Sequence, residues 1–154
     1  MDFDWGDIGG ILTYLVPVLI FVVINVFFRK QQEQKRQQQA VRGLLSEIDY
    51  NQKLMEVFLF NWQAKKFKAG AWKRNKDKMD YIDQSLRNIL AGAYAIAEEF
   101  NGEIGAARKH KSPGYLAGIQ VDRLKEPLAR SKQGLKEWLE LNKRKKELPR
   151  PGGK

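Results

Sequence analysis

The first pattern along the chain is a long apolar run. From Ile8 to Phe28 no charged residue occurs, and the run stops at Arg29 and Lys30. A helix rises about 1.5 Å per residue and a bilayer's hydrocarbon core is about 30 Å thick, so roughly 20 apolar residues suffice to cross it. The run predicts one transmembrane helix over residues 8–28. Beyond it, apolar positions recur with a helical period. A first stripe steps through Val41, Leu44, Ile48, Asn51, Met55, Phe58 and Trp62, widened by Leu45, Leu54 and Leu59. A second runs Ile82, Leu86, Ile89, Ala93, Ile96, Phe100 and Ile104, and a third Val121, Leu124, Leu128, Ser131, Leu135 and Trp138. Steps of three and four place these positions on one face of each helix. No alternating run of β-branched residues follows the apolar segment. The expected class is all-α: a single N-terminal transmembrane helix, then a cytoplasmic antiparallel three-helix bundle with helices near 41–64, 78–110 and 116–147.

Punctuation places the boundaries. Residues 29–40, RKQQEQKRQQQA, are polar on every face and hold no Gly or Pro, which predicts a helical stalk, with a flexible hinge as the alternative. The first connection is expected over 63–78, where Gly70 and Asn75 break the period, and the second at Ser112, Pro113 and Gly114. Pro127 predicts a kink or a restart in the third helix, and Pro17 a kink in the apolar run. Residues 148–154, LPRPGGK, read as a disordered tail. An up-down-up order would carry the 63–78 connection about 50 Å from the membrane and return the C-terminal basic residues to that same tip.

Charge adds an orientation. Asp2, Asp4 and Asp7 precede the apolar run, whereas all 28 basic residues and the other 15 of the 18 acidic ones follow it. Basic flanks stay in the cytoplasm, so residues 1–7 should form a short external N-terminus and the rest should lie inside, at the cell membrane. Trp5, Arg29 and Lys30 are the expected membrane-interface residues. An acidic leader, the length of the run and the lack of alanine before Ala40 argue for an uncleaved anchor over a signal peptide. Within the run, Gly6-x-x-x-Gly10 is a small-residue spacing that favours helix association. Asn25 suits either an interfacial residue reaching for water or an interhelical hydrogen bond.

Candidate binding chemistry concentrates in 63–78. Lys65, Lys66, Lys68, Lys73, Arg74, Lys76 and Lys78 stand there against Asp77 alone, interleaved with Phe67 and Trp72. Basic residues with aromatics suit phosphates and stacked bases. Lysine outweighs arginine and no nucleic-acid motif is present, so an acidic protein or anionic headgroups fit at least as well. The bland reading makes Phe67 and Trp72 caps on the core and the lysines a solvated loop. Asn51, on a core stripe, predicts a hydrogen bond to another helix.

Candidate catalytic chemistry is sparse. There is no cysteine, which excludes disulfides, thiolate catalysis and cysteine metal sites. His110 is the one histidine, flanked by Lys109 and Lys111 at a helix end, where a cation is favoured without further role. The adjacent pair Glu98 and Glu99 diverges by about 100° on a helix, Glu47 and Asp49 fail to converge either, and Asp80 and Asp83 suit a first helical turn. No metal or cofactor is expected. The reading is a non-enzymatic, membrane-anchored interaction module with a cytoplasmic protein partner. A nucleic-acid tether and a self-assembling, homo-oligomeric scaffold are the alternatives.

Overall fold

The computed structural model describes residues 6–58, 65–110, 114, 116 and 118–147, which are mostly helical, with no strand among them. Trp5, Trp62, Ser112, Pro113 and the tail 148–154 lie outside the described residues. The chain forms two compact units, Met1–Gln37 and Gln38–Lys154. Helix α1, Gly6–Glu56, holds the apolar run, the glutamine-rich stretch and the first stripe, with Pro17 inside it. Then come α2 (Gly70–Asn75), a 3-10 turn (Lys76–Lys78), α3 (Gln84–Lys109), a second 3-10 turn (Val121–Leu124) and α4 (Lys125–Glu147).

Capping explains where these helices begin. α3 starts at Gln84, six residues later than the expected start at 78, because Asp83 is its N-cap: the carboxylate accepts from the Leu86 N–H at 3.0 Å. Asp80 therefore precedes the helix, and its carboxylate pairs with Arg87 at 3.0 Å. Pro127 does not break α4. It falls in the first turn, where a missing N–H forfeits no intrahelical bond, so the short 3-10 turn before Lys125 absorbs the restart.

Each of the three stripes supplies buried residues. Val41, Leu44 and Ile48 of α1, Leu90, Tyr94 and Phe100 of α3, and Leu124, Leu128 and Leu135 of α4 share one core in the second unit. α3 and α4 are the closely packed pair and run antiparallel: Arg123 meets Glu99, and Gly134 lies against Leu86. A Cβ at Gly134 would stand 2.6 Å from Leu86 Cδ1, so this glycine sets how near the two helices approach.

The direction of α1 departs from the up-down-up expectation. Glu47 lies level with Tyr94, and further along the chain in each case, eleven residues on at Phe58 and six on at Phe100, two rings close on the same Phe67 ring. α1 and α3 therefore run the same way. The cause is the chain between them. Residues 65–72 return antiparallel to both helices: Lys66 approaches Gly105, Phe67 bonds Asn101, Lys68 bonds Asn51, and Ala71 reaches Glu47 and Gly43. The expected surface connection is a half-buried crossover: Phe67, Ala69 and Ala71 lie in the core, as do Met79 and Ile82 beyond it, while Lys65, Lys66, Lys68 and Gly70 are exposed. It returns the chain to the end of the unit where α1 comes in, the inlet end, before α3 begins.

Close packing at Gly134 yields a test. Gly134→Leu should lower the stability of the second unit by about 1–3 kcal/mol, the usual cost of overpacking, read as a lower thermal midpoint of the full chain in detergent. An unchanged midpoint would mean that α3 and α4 do not approach as described.

Candidate interaction surface

A segment of extended backbone inside a protein needs a partner for every N–H and C=O. Here asparagine side chains supply them. The Asn51 amide of α1 donates from Nδ2 to the Lys68 carbonyl at 2.8 Å and accepts from the Lys68 N–H at 2.7 Å. The Asn101 amide of α3 does the same at the preceding residue, donating to the Phe67 carbonyl at 2.9 Å and accepting from its N–H at 2.7 Å. Two helices thus clasp consecutive residues of the crossover with paired hydrogen bonds. The expected partner of Asn51, another helix, is replaced by this backbone segment.

Glu47 extends the arrangement. It stands one turn before Asn51 on the same face of α1, and its buried carboxylate accepts from the Ala71 N–H at 2.8 Å and the Trp72 N–H at 3.3 Å. These are free N–H groups in the first turn of α2, which has no side-chain cap of its own. The Tyr94 hydroxyl lies beside that carboxylate without meeting hydrogen-bond geometry, and its ring stacks on Trp72 at 5.2 Å. Burial, reinforced by the Glu47 charge, pushes the Tyr94 phenol far above its ordinary value near 10.

This scaffold decides what the candidate residues present. Phe67 is buried, stacked on Phe58 at 6.1 Å and tilted against Phe100 at 6.0 Å. Trp72 is half-buried against Tyr94. Both aromatic rings therefore face the core, while Lys65, Lys66, Lys68, Lys73, Arg74 and Lys76 are exposed. Lys68 lies over the Tyr50 ring, 3.9 Å from its centroid, and Lys73 pairs with Glu98 at 2.9 Å, an exposed contact of small energetic weight. The basic residues do not gather at one tip. They are laid lengthwise, Lys66 beside Gly105 and Lys76 just before the buried Met79. Lys76 and Lys78 still share an end of the unit with the basic end of α4, because Trp138 of α4 packs on Tyr81, but that end is the inlet end. Arg29 and Lys30 are exposed on α1.

The remaining acidic and imidazole groups are engaged separately. Glu99 pairs with Arg123 at 3.2 Å and Asp49 with Lys132 at 2.6 Å. His110 closes α3 through its own backbone N–H, which donates to Ala106 at 3.1 Å. Among the described residues no three His, Asp or Glu side chains cluster as metal ligands. Compared with known protein families, curated proteins and solved structures, the chain matches none of them.

Two measurements examine this geometry. Asn51→Ala and Asn101→Ala each strand one N–H and one C=O in the core, so each should cost about 2–4 kcal/mol in a thermal or denaturant melt. A cost below that of an ordinary surface change would remove the clasp. The Tyr94 shift makes a pH prediction. A raised phenol keeps its stabilisation below pH about 10, the unfolded value, and loses it as pH climbs toward the folded one. The wild-type thermal midpoint should fall more steeply above pH about 10 than that of Tyr94→Phe, and parallel pH profiles would contradict the placement of the hydroxyl.

Proposed function

We propose that the chain is a single-pass membrane protein whose second unit is a small non-enzymatic helical bundle that holds a cytoplasmic partner at the membrane. One observation carries the anchoring. The large apolar side chains between Leu15 and Phe28 are all exposed, 45–67 %, and no part of the described chain covers them. The candidate span, Leu15–Glu56, has a mean hydropathy of 1.4 in its most apolar window and none of that window is buried. A helix apolar on all sides is stable where its surroundings are apolar too, and a bilayer provides that. The charge distribution supports an outward N-terminus and a cytoplasmic second unit, because every basic residue follows the span.

The partner reading rests on the exposed lysines. Lys65, Lys66 and Lys68 project from a segment whose backbone is fixed at both Asn51 and Asn101, so the charges are held in place before anything binds. Preorganised basic groups suit an acidic protein surface. A nucleic-acid tether is less well supported, since stacking on bases needs the Phe67 and Trp72 rings that the core occupies. Self-assembly through the apolar run remains compatible with Gly6 and Gly10, without a further observation in its favour.

Labelling tests the topology directly. The chain has no cysteine, so single cysteines at Asp4 and Gly152 can be probed in intact cells with a maleimide that does not cross membranes. Modification at position 4 alone is expected. Modification at 152 as well, or release of the chain from membranes by alkaline carbonate, would end the anchored reading. For the partner, Lys65, Lys66, Lys73 and Arg74 replaced by Gln should abolish a nuclease-resistant crosslinked protein complex. Retention of that complex would move the binding surface elsewhere.

A further inference from the structure

Outside the apolar run, two large apolar side chains are exposed among the described residues, Val57 and Leu141. Leu141 is the more informative because of where it stands. It lies 58 % exposed near the end of α4, three residues beyond Trp138, whose indole N–H donates to the Tyr81 carbonyl at 3.1 Å. That contact places it at the inlet end, beside the turn that starts α3. Lys143 and Arg144 follow it, exposed, as the first two of four consecutive basic residues. Lys76 and Lys78, also exposed, come from the 3-10 turn at the same end. Of the acidic groups there, Asp80 is paired with Arg87 and Asp83 caps α3, which leaves Asp77, Glu137 and Glu140 in solvent.

An exposed leucine that shares one end of a helical unit with exposed lysine and arginine has the composition of a surface that rests in a headgroup layer. Its apolar group enters the boundary while the cations meet anionic lipids. The sequence supplies the proximity: nine residues, 29–37, join the apolar run to the second unit, a reach of about 35 Å at most even if fully extended. We propose that the inlet end of the second unit binds the anionic cytoplasmic membrane surface, with Leu141 at the headgroup boundary and Lys76, Lys78, Lys143 and Arg144 on lipid phosphates and carboxylates. This rests on the membrane-anchored reading. It leaves Lys65, Lys66 and Lys68, further along the crossover, free for a protein partner.

Site-specific fluorescence quenching tests it on the full chain, since no native cysteine interferes. Single fluorophores are placed at Glu140→Cys beside Leu141, at Asp122→Cys toward the opposite end, and at Phe21→Cys in the apolar run. The protein is reconstituted in phosphatidylcholine vesicles with or without phosphatidylserine, carrying nitroxides at the headgroup or on the acyl chain. In phosphatidylserine vesicles the position-140 probe should be quenched by headgroup nitroxide severalfold more than the position-122 probe. The difference should vanish in phosphatidylcholine alone, at high salt, and when Lys76, Lys78, Lys143 and Arg144 are all changed to Gln. Equal quenching at 140 and 122, or quenching at 140 indifferent to phosphatidylserine, would overturn the inference. The position-21 probe separates the two readings: if acyl-chain nitroxide quenches it while 140 stays dark to headgroup nitroxide, only the docking fails. If position 21 itself is not quenched, the anchoring fails with it.

Discussion

The fold of the second unit turns on how a part-buried, non-helical stretch of chain satisfies its backbone. A peptide segment in a core cannot use water, and an unpaired N–H or C=O there costs about 1–3 kcal/mol. Neither helices nor strands supply partners to residues 67 and 68. Asn51 and Asn101 do, each with one donor and one acceptor aimed at a single residue. Glu47, one turn before Asn51, meets the next free N–H groups at the start of α2. Without these side chains the burial of Phe67, Ala69 and Ala71 would be opposed by unpaired backbone groups.

Once the crossover is inside, much else follows. It carries Phe67, Ala71 and Met79 into the core between α1 and α3, so these helices meet in part through an intervening segment. It returns the chain to the inlet end, so α3 runs parallel to α1 and α4 antiparallel to both, with Lys132 of α4 reaching Asp49 and Gln52 of α1. The basic end of α4 is thereby brought back to the inlet end as well. Charge that would have been carried to a remote tip in an up-down-up order is divided between that end and the flank of the crossover. Topology, and not composition, decides which lysines share a surface.

Much of the class was legible from the periodicity: the apolar run, the three stripes and the absence of strands all appear as spacing in the chain. The crossover was hidden because its signals are read singly. Gly70 and Asn75 mark a surface loop by ordinary turn chemistry, and nothing in KKFKAGAW announces that Phe67, Ala69 and Ala71 are core. Asn51 stands out as a polar residue on an apolar stripe. Asn101 does not, since it follows Phe100 beside the stripe, and Glu47 reads in the sequence as one of a divergent carboxylate pair. A polar residue on the inner face of one helix and another on the next, facing eight connecting residues of mixed apolar character, is the pattern that would have suggested a clasped segment. The interaction surface was half legible: the lysines are exposed as their charge requires, while the aromatic rings among them serve the interior.

The parallel course of α1 and α3 is the central structural claim, because the crossover, the clasp and the division of the basic residues all depend on it. Spin-label distances in the full chain address it, with one label at Arg42→Cys and the other at Gln84→Cys or Lys109→Cys, all exposed positions. At about 1.5 Å per residue, α3 extends nearly 40 Å from its first residue to its last, so the two pairs are readily told apart. A parallel arrangement makes the 42–84 distance much the shorter of the two. A shorter 42–109 distance would mean that α3 returns toward the inlet end as an antiparallel neighbour, and the crossover would have to be abandoned.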